Sequence, residues 1–403
     1  MSLTLRQRLV VAAAWTYSVV RFVKSGGFLT STLGASDFFS MFPAPAVAAW
    51  AGRASVYAGS LAEQWLPAPR WGYGPIFNLV TLPLLIFGEL ATMYRVWLFV
   101  CHLFFLLALF LLYRETLGTR VTVGRVTLAG VLALNYYPLL EGLAQCNIEV
   151  FELLLVAAAM NCYARRRDAW AGTLVGIAAM TKFLPGVLVP YFLLKRRWRA
   201  FASSVIVILA IGLAAQFTLG WQNNWVVIQL LQGSYLDTQL NQAVSGAVLR
   251  LAAFLHQSAL GLRISQLLIV AFAMALAWFL WRRRASTDWQ IEWSILLVAS
   301  VMMPPHNQNY YLLLLLVPYF VLLGRRLADP VLDRRRALLL VLSWFLTAWP
   351  LPLSLVGRLV GTPLLAERLL YWSVSLWGVL LLVYLLVTEP ASRHLEAGEE
   401  VAA

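Results

Sequence analysis

The sequence of residues 170–201 is WAGTLVGIAAMTKFLPGVLVPYFLLKRRWRAF, and it joins two apolar runs to a strongly basic one. The apolar runs, near 169–182 and 185–195, meet at Lys182, and the basic run KRRWR follows at 195–199. Apolar segments that end in a short cluster of Lys and Arg are typical of helices that cross a bilayer and stop at its cytoplasmic surface. This stretch therefore predicts a pair of membrane helices followed by a basic loop.

The same pattern extends over the whole chain of 403 residues, of which 61% are hydrophobic and only 12% are charged. Soluble domains carry roughly 25% charged residues, so the composition excludes an ordinary soluble protein. Apolar runs of roughly 15–22 residues recur, whereas an outer-membrane barrel would show short alternating segments. The net charge of +13 comes mainly from Arg in short loops, so it does not require nucleic-acid binding. We predict an all-α, polytopic membrane protein.

Five basic loops set the predicted topology. They lie at 113–125, 165–168, 195–199, 281–284 and 324–336. If all five are cytoplasmic, an even number of crossings must separate each neighbouring pair, and about twelve spans with both termini in the cytoplasm satisfy this condition. The spans are predicted near 8–24, 93–113, 126–140, 148–164, 169–182, 185–195, 200–219, 264–282, 289–303, 310–324, 337–349 and 368–387.

The same parity argument excludes two apolar segments from the spans. Counting 76–88 as a crossing would place the next basic loop outside, against its three Arg. Segment 246–260 carries Arg250 and follows an amphipathic stretch, so we interpret it as lying in the membrane interface. The first apolar stretch, LVVAAAWTYSVVRFV, lacks a small-residue cleavage site and is predicted to remain as a span.

The chain contains no sequence repeat and no separate soluble segment, so one integral-membrane domain over 1–403 is predicted. Its parts are a first outer loop at 25–92, a central membrane module at 93–219, a second long outer loop at 220–263, C-terminal membrane helices at 264–387 and a cytoplasmic tail at 388–403. Because both long loops are rich in aromatic residues and Leu, they predict short amphipathic helices on the outer surface.

The stretch GASDFFSMFPAPAV at 34–47 places Asp37 among aromatic residues in the first outer loop. An ionised carboxylate in such surroundings is costly unless it is solvated, paired or used. Asp37 can cap the helix that begins after it, or it can take a proton as a catalytic base. The same loop offers three aromatic rings to a sugar or lipid headgroup, those of Tyr57, Trp71 and Tyr73, with interfacial anchoring as the alternative for each. Arg70, in the same loop, is a candidate for binding the donor phosphate.

The stretch YYPLLEGLAQCNIEVFELLL supplies a second polar cluster. Glu141, Gln145 and Asn147 fall in a short outer loop, where the amides can bind sugar hydroxyls or a phosphate. Glu149 and Glu152 lie three residues apart and therefore share one face of the next span. Glu149 is a candidate for acceptor binding, and pairing of the two acids with an Arg of a neighbouring span is the equally weighted alternative.

The remaining candidates lie further along the chain. Lys182 sits between two predicted spans and can bind a lipid phosphate, with snorkelling to the interface as the alternative. His306 follows two Pro residues in a short outer loop and can hold a phosphate or orient an acceptor, although a surface His without a role is also common. Four further candidates are Arg250 for phosphate, Asp237 and Asn241 for the acceptor, and Tyr310 for a sugar or lipid.

The residue pattern does not call for a bound cofactor. The three Cys and four His show no metal-ligand spacing, and no Asp-x-Asp pair occurs. We therefore predict that no cofactor and no metal is needed.

Together these segments resemble a GT-C membrane glycosyltransferase, and within that class glycosyltransferase family 87. The resemblance runs from the first span to about Tyr311. It rests on Asp37, on VYAGSL and YGPIFNLVTLPLL in the first outer loop, on EGLAQCNIEVFELLL, NQAVSG and PPHNQNYY, and above all on the stretch at 170–201. It implies a GT-C-type helical bundle with juxtamembrane helices on its outer face.

The resemblance also implies a reaction. Family members use a polyprenyl-phosphate sugar, often mannose, and no sugar nucleotide, and they transfer it with inversion on the outer side of the cytoplasmic membrane. The implied acceptor is a glycolipid or lipid-linked glycan. Asp37 matches the family's catalytic base, and Glu141 is the nearest equivalent of a second acid found in related enzymes.

Three questions stay open at the level of sequence. The family also includes arabinofuranosyltransferases, so the sugar is not decided. A transporter or lipid flippase is the main alternative, although it predicts inverted repeats and midplane charges that are not seen. A non-catalytic partner in an envelope-assembly complex is the second alternative, and the oligomeric state is open, a monomer included.

Overall fold

The structure, a computed structural model, describes residues 4–25, 82–118, 121–219, 241–305, 307–328, 333–348 and 372–390. Within these ranges every regular element is a helix. A helix satisfies all its interior backbone hydrogen bonds within one segment, which is what an apolar surrounding requires.

We number the α-helices of the described ranges in chain order. They are α1 (Leu5–Ser25), α2 (Leu90–Thr116), α3 (Val123–Leu134), α4 (Tyr137–Ala144), α5 (Glu149–Ala164), α6 (Asp168–Thr181), α7 (Leu188–Leu194), α8 (Trp198–Leu219), α9 (Val244–Phe254), α10 (Ser258–Arg282), α11 (Trp289–Met302), α12 (Leu316–Ala328), α13 (Arg334–Thr347) and α14 (Val374–Val387). Short 3-10 helices at Leu82–Phe87, Leu184–Val187 and Asn309–Leu315 precede α2, α7 and α12.

Within the described ranges, three segments are long and apolar enough to cross a membrane. They are Ala91–Thr116, Ser258–Arg282 and Asn309–Ala328. Shorter apolar helices such as α11 and α14 accompany them. These helices fit a membrane protein, as the composition predicts, whereas the number of about twelve crossings stays a prediction.

One predicted span needs correction, because the segment 126–140 is not a single straight helix. It is divided into α3 and α4, which meet at an angle of 55°. The cause is Pro138, in the first turn of α4. In a continuous helix its ring would clash with the carbonyl of Leu134, the last residue of α3, and its missing N–H would leave that carbonyl without a donor. The pair counts as one span only if both helices are taken together.

Ion pairs and hydrogen bonds gather the basic loops at one end of the bundle. Lys195 donates to the carbonyl oxygens of Arg283 at 2.9 Å and Ser286 at 2.8 Å. The ion pairs that connect neighbouring loops are Arg165–Glu115 (3.5 Å), Arg197–Asp168 (3.3 Å), Arg325–Asp288 and Arg326–Glu389. The described parts of the basic loops therefore share one end, here called the basic end; that it faces the cytoplasm stays a prediction.

The opposite end of the bundle is here called the polar end. Helix α5 runs from Glu149 at the polar end to the basic end, and α6 returns to Lys182. Helix α11 leads from the basic end to Met302, and the 3-10 helix at Asn309–Leu315 starts the return. Residues 145–149, 182, 303–305 and 307–311 therefore lie at the same end.

Small residues allow α6 and α8 to pack closely. Gly172 faces the backbone carbonyl and side chains of α8, and a Cβ there would collide with the carbonyl of Ala200. A Cβ on Gly176, one turn further, would lie 2.9 Å from the carbonyl oxygen of Ser204. Such small-residue contacts are typical of helices that associate in membranes, where van der Waals packing replaces the hydrophobic driving force.

Helices α9 and α10 form an antiparallel hairpin. A Cβ on Gly261 would touch Ala252, and Ser265 donates a hydrogen bond to the carbonyl of Ser245 at 3.4 Å. One face of α9 therefore packs on α10, and Arg250 on α9 is only 2% exposed. That the segment 246–260 lies in the membrane interface stays a prediction.

Candidate active site

Several candidates from the sequence lie outside the described residues. They are Asp37, Tyr57, Arg70, Trp71, Tyr73, Asp237 and His306. The site can therefore be built only from the described candidates, and these all lie at or near the polar end.

A buried ion pair lies at the centre of the polar end. Lys182, which caps the C-terminus of α6, pairs with the carboxylate of Glu149 in the first turn of α5. Glu149 is fully buried and the Lys182 side chain is 11% exposed. Both residues lie at helix ends. Helix α6 ends just before Lys182, Phe183 and Pro185, and α5 begins at Glu149 after a tight turn. The sequence analysis gave an Arg as the alternative partner of Glu149. The structure shows a Lys in that place.

Glu152 lies one helical turn beyond Glu149 and is also fully buried. Neither of its carboxylate oxygens has a hydrogen-bond partner among the described residues. A buried carboxylate usually has its lone pairs satisfied, so such a group calls for a specific explanation. The helical spacing places Glu152 on the same face as the Glu149–Lys182 pair, as the sequence predicts.

Two tyrosines cover Lys182. Its ammonium group lies 3.2 Å from the ring centroid of Tyr311 and 5.3 Å from that of Tyr310. The two rings are edge to face, with their centroids 5.0 Å apart. Cation–π attraction of this kind holds an ammonium group in place without neutralising it. Tyr310 was a sequence candidate for sugar or lipid contact, whereas the closer contact of Tyr311 was missed.

The turn between α4 and α5 is held by α2. Trp97 donates to the carbonyl of Cys146 at 3.0 Å, and Cys146 itself has a positive φ of 53°. Asn147 is fully buried, and its amide group donates to the side-chain oxygen of Gln145 at 3.4 Å. The two amides are therefore coupled to each other, and Gln145, the more accessible one, is the better placed for an external ligand.

Glu141 lies on α4, half-buried. The next residue, Gly142, packs against Tyr310, since a Cβ on Gly142 would lie 3.6 Å from the Cβ of Tyr310. The structure thus places Glu141 beside the helix face that contacts the tyrosine pair. Its role as a second acid stays a prediction.

Asn241 fastens the segment that leads to the tyrosines. Its side-chain amide donates to the carbonyl of Pro305 at 2.9 Å, and its side-chain oxygen accepts from the backbone N–H of Asn307 at 3.0 Å. The backbone N–H of Gln242 donates to the carbonyl of Asn307 at 2.6 Å. Since both side-chain groups of Asn241 contact protein backbone, we interpret Asn241 as a residue that positions Pro305 and Asn307.

Arg250 supports the same segment from α9. It donates to the carbonyl of Asn241 at 2.7 Å and to the hydroxyl of Ser373. Burial and these contacts make it a structural anchor in the described chain, and phosphate binding by Arg250 stays a prediction. The supporting roles of Asn307 and Ser373 were missed, because their partners are distant in sequence.

The described residues contain no group of three or more His, Cys, Asp or Glu that could hold a metal ion. Cys101, Cys146 and Cys162 are free thiols. Around Lys182 the described residues provide an ammonium group, the buried carboxylates of Glu149 and Glu152, two aromatic rings and the amides of Gln145 and Asn147. These groups suit a ligand that combines a phosphate with sugar hydroxyls.

Comparison with known proteins agrees with this chemistry. Residues 71–305 match the family model of glycosyltransferase family 87. A segment of 81 residues is 31% identical to the polyprenol-phosphate-mannose-dependent alpha-(1-2)-phosphatidylinositol mannoside mannosyltransferase of Mycobacterium tuberculosis. That match covers 20% of this chain and only 18% of the relative.

Proposed function

Because the chain belongs to glycosyltransferase family 87, we propose that it transfers a sugar, mannose in the first place, from a polyprenyl-phosphate donor to a hydroxyl of a glycolipid or lipid-linked glycan. The name of the mycobacterial relative supports this donor class, since that protein depends on polyprenol-phosphate mannose. Because the match to that relative is short, the proposal for the substrates of this chain must also be supported by its own residues.

The observation that carries the proposal is the Glu149–Lys182 pair beneath the two tyrosine rings. Lys182 provides a compact positive charge of the kind that binds a phosphate, and Tyr311 holds it at 3.2 Å. The amide of Gln145, which is only half-buried, supplies a hydrogen-bonding group for sugar hydroxyls. A cation, two rings and an amide thus lie within one polar end of an otherwise apolar bundle.

The proposed reaction is a single displacement. The carboxylate of Asp37 takes the proton of the acceptor hydroxyl while the hydroxyl oxygen attacks the anomeric carbon. The bond from that carbon to the phosphate oxygen breaks, and polyprenyl phosphate leaves with the negative charge. One displacement inverts the anomeric centre. Lys182, His306 and Arg70 are the proposed cations that stabilise the charge on the leaving phosphate.

The proposed membrane position follows from charge. If the basic end faces the cytoplasm, the polar end and Asp37 face outward, and both termini are cytoplasmic. Transfer would then take place on the outer face of the cytoplasmic membrane, where a lipid-linked donor is the available form of activated sugar.

Purified protein in lipid, supplied with labelled polyprenyl-phosphate mannose and a glycolipid acceptor, tests the proposal. Wild type should form labelled glycolipid. Asp37→Asn should lower the rate of transfer at least about a hundredfold, because a general base accelerates such a reaction by roughly 10²–10⁴. Glu63→Gln also replaces a carboxylate by its amide in the first outer loop, so it is the matched control and should keep the wild-type rate. Full transfer by Asp37→Asn would exclude Asp37 as the base.

A second comparison distinguishes the sugar and the class of activity. Polyprenyl-phosphate arabinofuranose should be a poorer donor than the mannose form if the first proposal holds. A flippase would move the labelled donor between leaflets without consuming it. Failure to consume either donor, with lipid movement instead, would overturn the transferase proposal.

A further inference from the structure

A cavity lies between α1, α3 and α13, away from the Glu149–Lys182 pair. It has a volume of about 290 Å³ and is lined mainly by small or apolar side chains. Its polar lining comes from Tyr17, Ser18, Arg21, Asn135 and Trp344. This is about twice the cavity of roughly 150 Å³ that accepts benzene in an engineered protein, and it lies near the lower limit of small-molecule sites.

Two of the lining residues carry buried donors without an acceptor. The Nε and one terminal nitrogen of Arg21 have no hydrogen-bond partner among the described residues, and neither has the indole nitrogen of Trp344. The other terminal nitrogen of Arg21 donates to the side-chain oxygen of Asn135 at 3.3 Å. Three nitrogen atoms beside one cavity thus lack an acceptor, and a buried donor without a partner costs about 1–3 kcal/mol.

The guanidinium is held in place by a fixed network. The amide nitrogen of Asn135 donates to the hydroxyl of Ser18 at 2.7 Å and to the carbonyl of Val131 at 2.9 Å, which leaves its oxygen directed to Arg21. Trp15 ties α1 to α3 by donating to Thr127 at 3.1 Å. Arg21 is therefore oriented before any ligand binds, which lowers the cost of binding.

Among the described residues around the cavity, no carboxylate balances the charge of Arg21. None of the helices α1, α3 and α13 contains Asp or Glu, and the described lining of the cavity contains no acidic residue. A guanidinium in an apolar protein site is expensive unless an anion compensates it, and its planar fork of donors matches a phosphate. The rim includes Tyr17 and Phe345, which are 62% and 42% exposed and offer an apolar surface to a lipid chain.

We propose that the cavity between α1, α3 and α13 binds the phosphate group of a membrane lipid through Arg21 and Trp344. The inference deepens the proposed function, and rests on it only in naming polyprenyl phosphate, the donor's lipid part and the by-product of transfer, as the first lipid to test. Bilayer phospholipids carry the same chemistry and form the second source.

Binding measured by native mass spectrometry of the full chain, in a phosphate-free detergent, tests this site. Polyprenyl monophosphate should bind more tightly than polyprenol, which has the same chain without the charge. Arg21→Gln should weaken the binding of polyprenyl monophosphate roughly 10- to 100-fold, and Arg21→Lys less, since it keeps the charge without the fork. Arg6→Gln on the same helix, an exposed position, is the matched control and should change nothing.

A second variant covers the case in which Arg21→Gln does not fold. Trp344→Phe keeps the ring and removes only the N–H, so it should weaken binding roughly 2- to 10-fold with the fold intact. Unchanged affinity in both variants, or equal binding of polyprenol and its phosphate by wild type, would overturn the proposal.

Two further ligands identify the source of the phosphate. A preference for polyprenyl phosphate over phosphatidylglycerol supports a site for the donor or by-product, and the reverse preference supports a bilayer phospholipid. Inorganic phosphate that binds as tightly as either lipid would contradict a lipid site. Because the readout is binding, loss of sugar transfer in the earlier assay would leave an Arg21-dependent lipid site standing.

Discussion

At the scale of single residues, Glu149 and Glu152 are chemically equal and differently placed. Glu149 forms an ion pair with Lys182, whereas the oxygens of Glu152 have no hydrogen-bond partner in the described chain. Both side chains are fully buried. A buried acid is stabilised by its pair and penalised without hydrogen bonds, so one substitution should affect the two positions in opposite ways.

We expect Glu149→Gln to lower the free energy of unfolding by up to about 3–5 kcal/mol, because it removes the main charge compensation of buried Lys182. Glu152→Gln should leave stability unchanged or raise it by about 1 kcal/mol, because a neutral amide is cheaper to bury. Reversible unfolding in mixed micelles measures both. Equal losses in the two variants would show that Glu152 is as well compensated as Glu149.

At the scale of elements, the packing of α6 on α8 positions Lys182. Helix α6 ends at Lys182, and its contact with α8 depends on Gly172 and Gly176. The stretch at 170–201 lies within the residues that match the family model. Two of its glycines therefore have a packing explanation, apart from any role in catalysis.

Gly172→Ala should destabilise the protein by about 1–3 kcal/mol, because the added methyl group meets the backbone of α8, which cannot rotate away. Gly212→Ala, the same change on α8 where nothing lies within 4 Å, is the control. It should be neutral or stabilising by up to about 1 kcal/mol, since Ala favours the helix. Thermal unfolding measures the stability of both variants. A larger loss of stability in Gly212→Ala than in Gly172→Ala would refute the close-packing explanation.

The joint between α3 and α4 is a second element-scale feature with a local cause. Pro138 explains why the helix cannot continue, and the break leaves Asn135 at the C-terminus of α3, where it supports Arg21. The same break lets α4 turn toward the 3-10 helix that carries Tyr310. A single proline therefore shapes both the polar end and the cavity of α1, α3 and α13.

At the scale of the whole molecule, the two ends of the bundle have opposite character. Ion pairs of Arg and Lys connect the loops of the basic end, and the polar end carries the candidate site. The positive-inside rule predicts which side each end faces.

Single cysteines introduced into a variant without Cys101, Cys146 and Cys162 test this orientation in intact cells. Arg166→Cys and Arg284→Cys, both exposed at the basic end, should react with a membrane-impermeant maleimide only after permeabilisation. Gln257→Cys, exposed at the turn before α10, and Asp37→Cys should react without it. Labelling of Arg284→Cys in intact cells would reverse the proposed orientation.

Much of the helical framework could be predicted from the sequence because its signals are local. Apolar length predicts helices such as α5 and α6, and clusters of Arg predict loops that share one end. The break at Pro138 was missed, although the proline is a visible local signal. The helical spacing also predicts that Glu149 and Glu152 share a face.

The sequence by itself determined that the chain is a helical, membrane-type protein with basic loops and a set of polar candidates, since apolar length, charge and proline act within a few residues. Only the tertiary structure decided which candidates meet. Lys182 pairs with Glu149 across 33 positions, and Arg21 contacts Asn135 across 114. Such contacts depend on how helices pack against one another, which no local pattern encodes, and the same packing leaves Arg21 and Trp344 with unmatched donors beside a cavity.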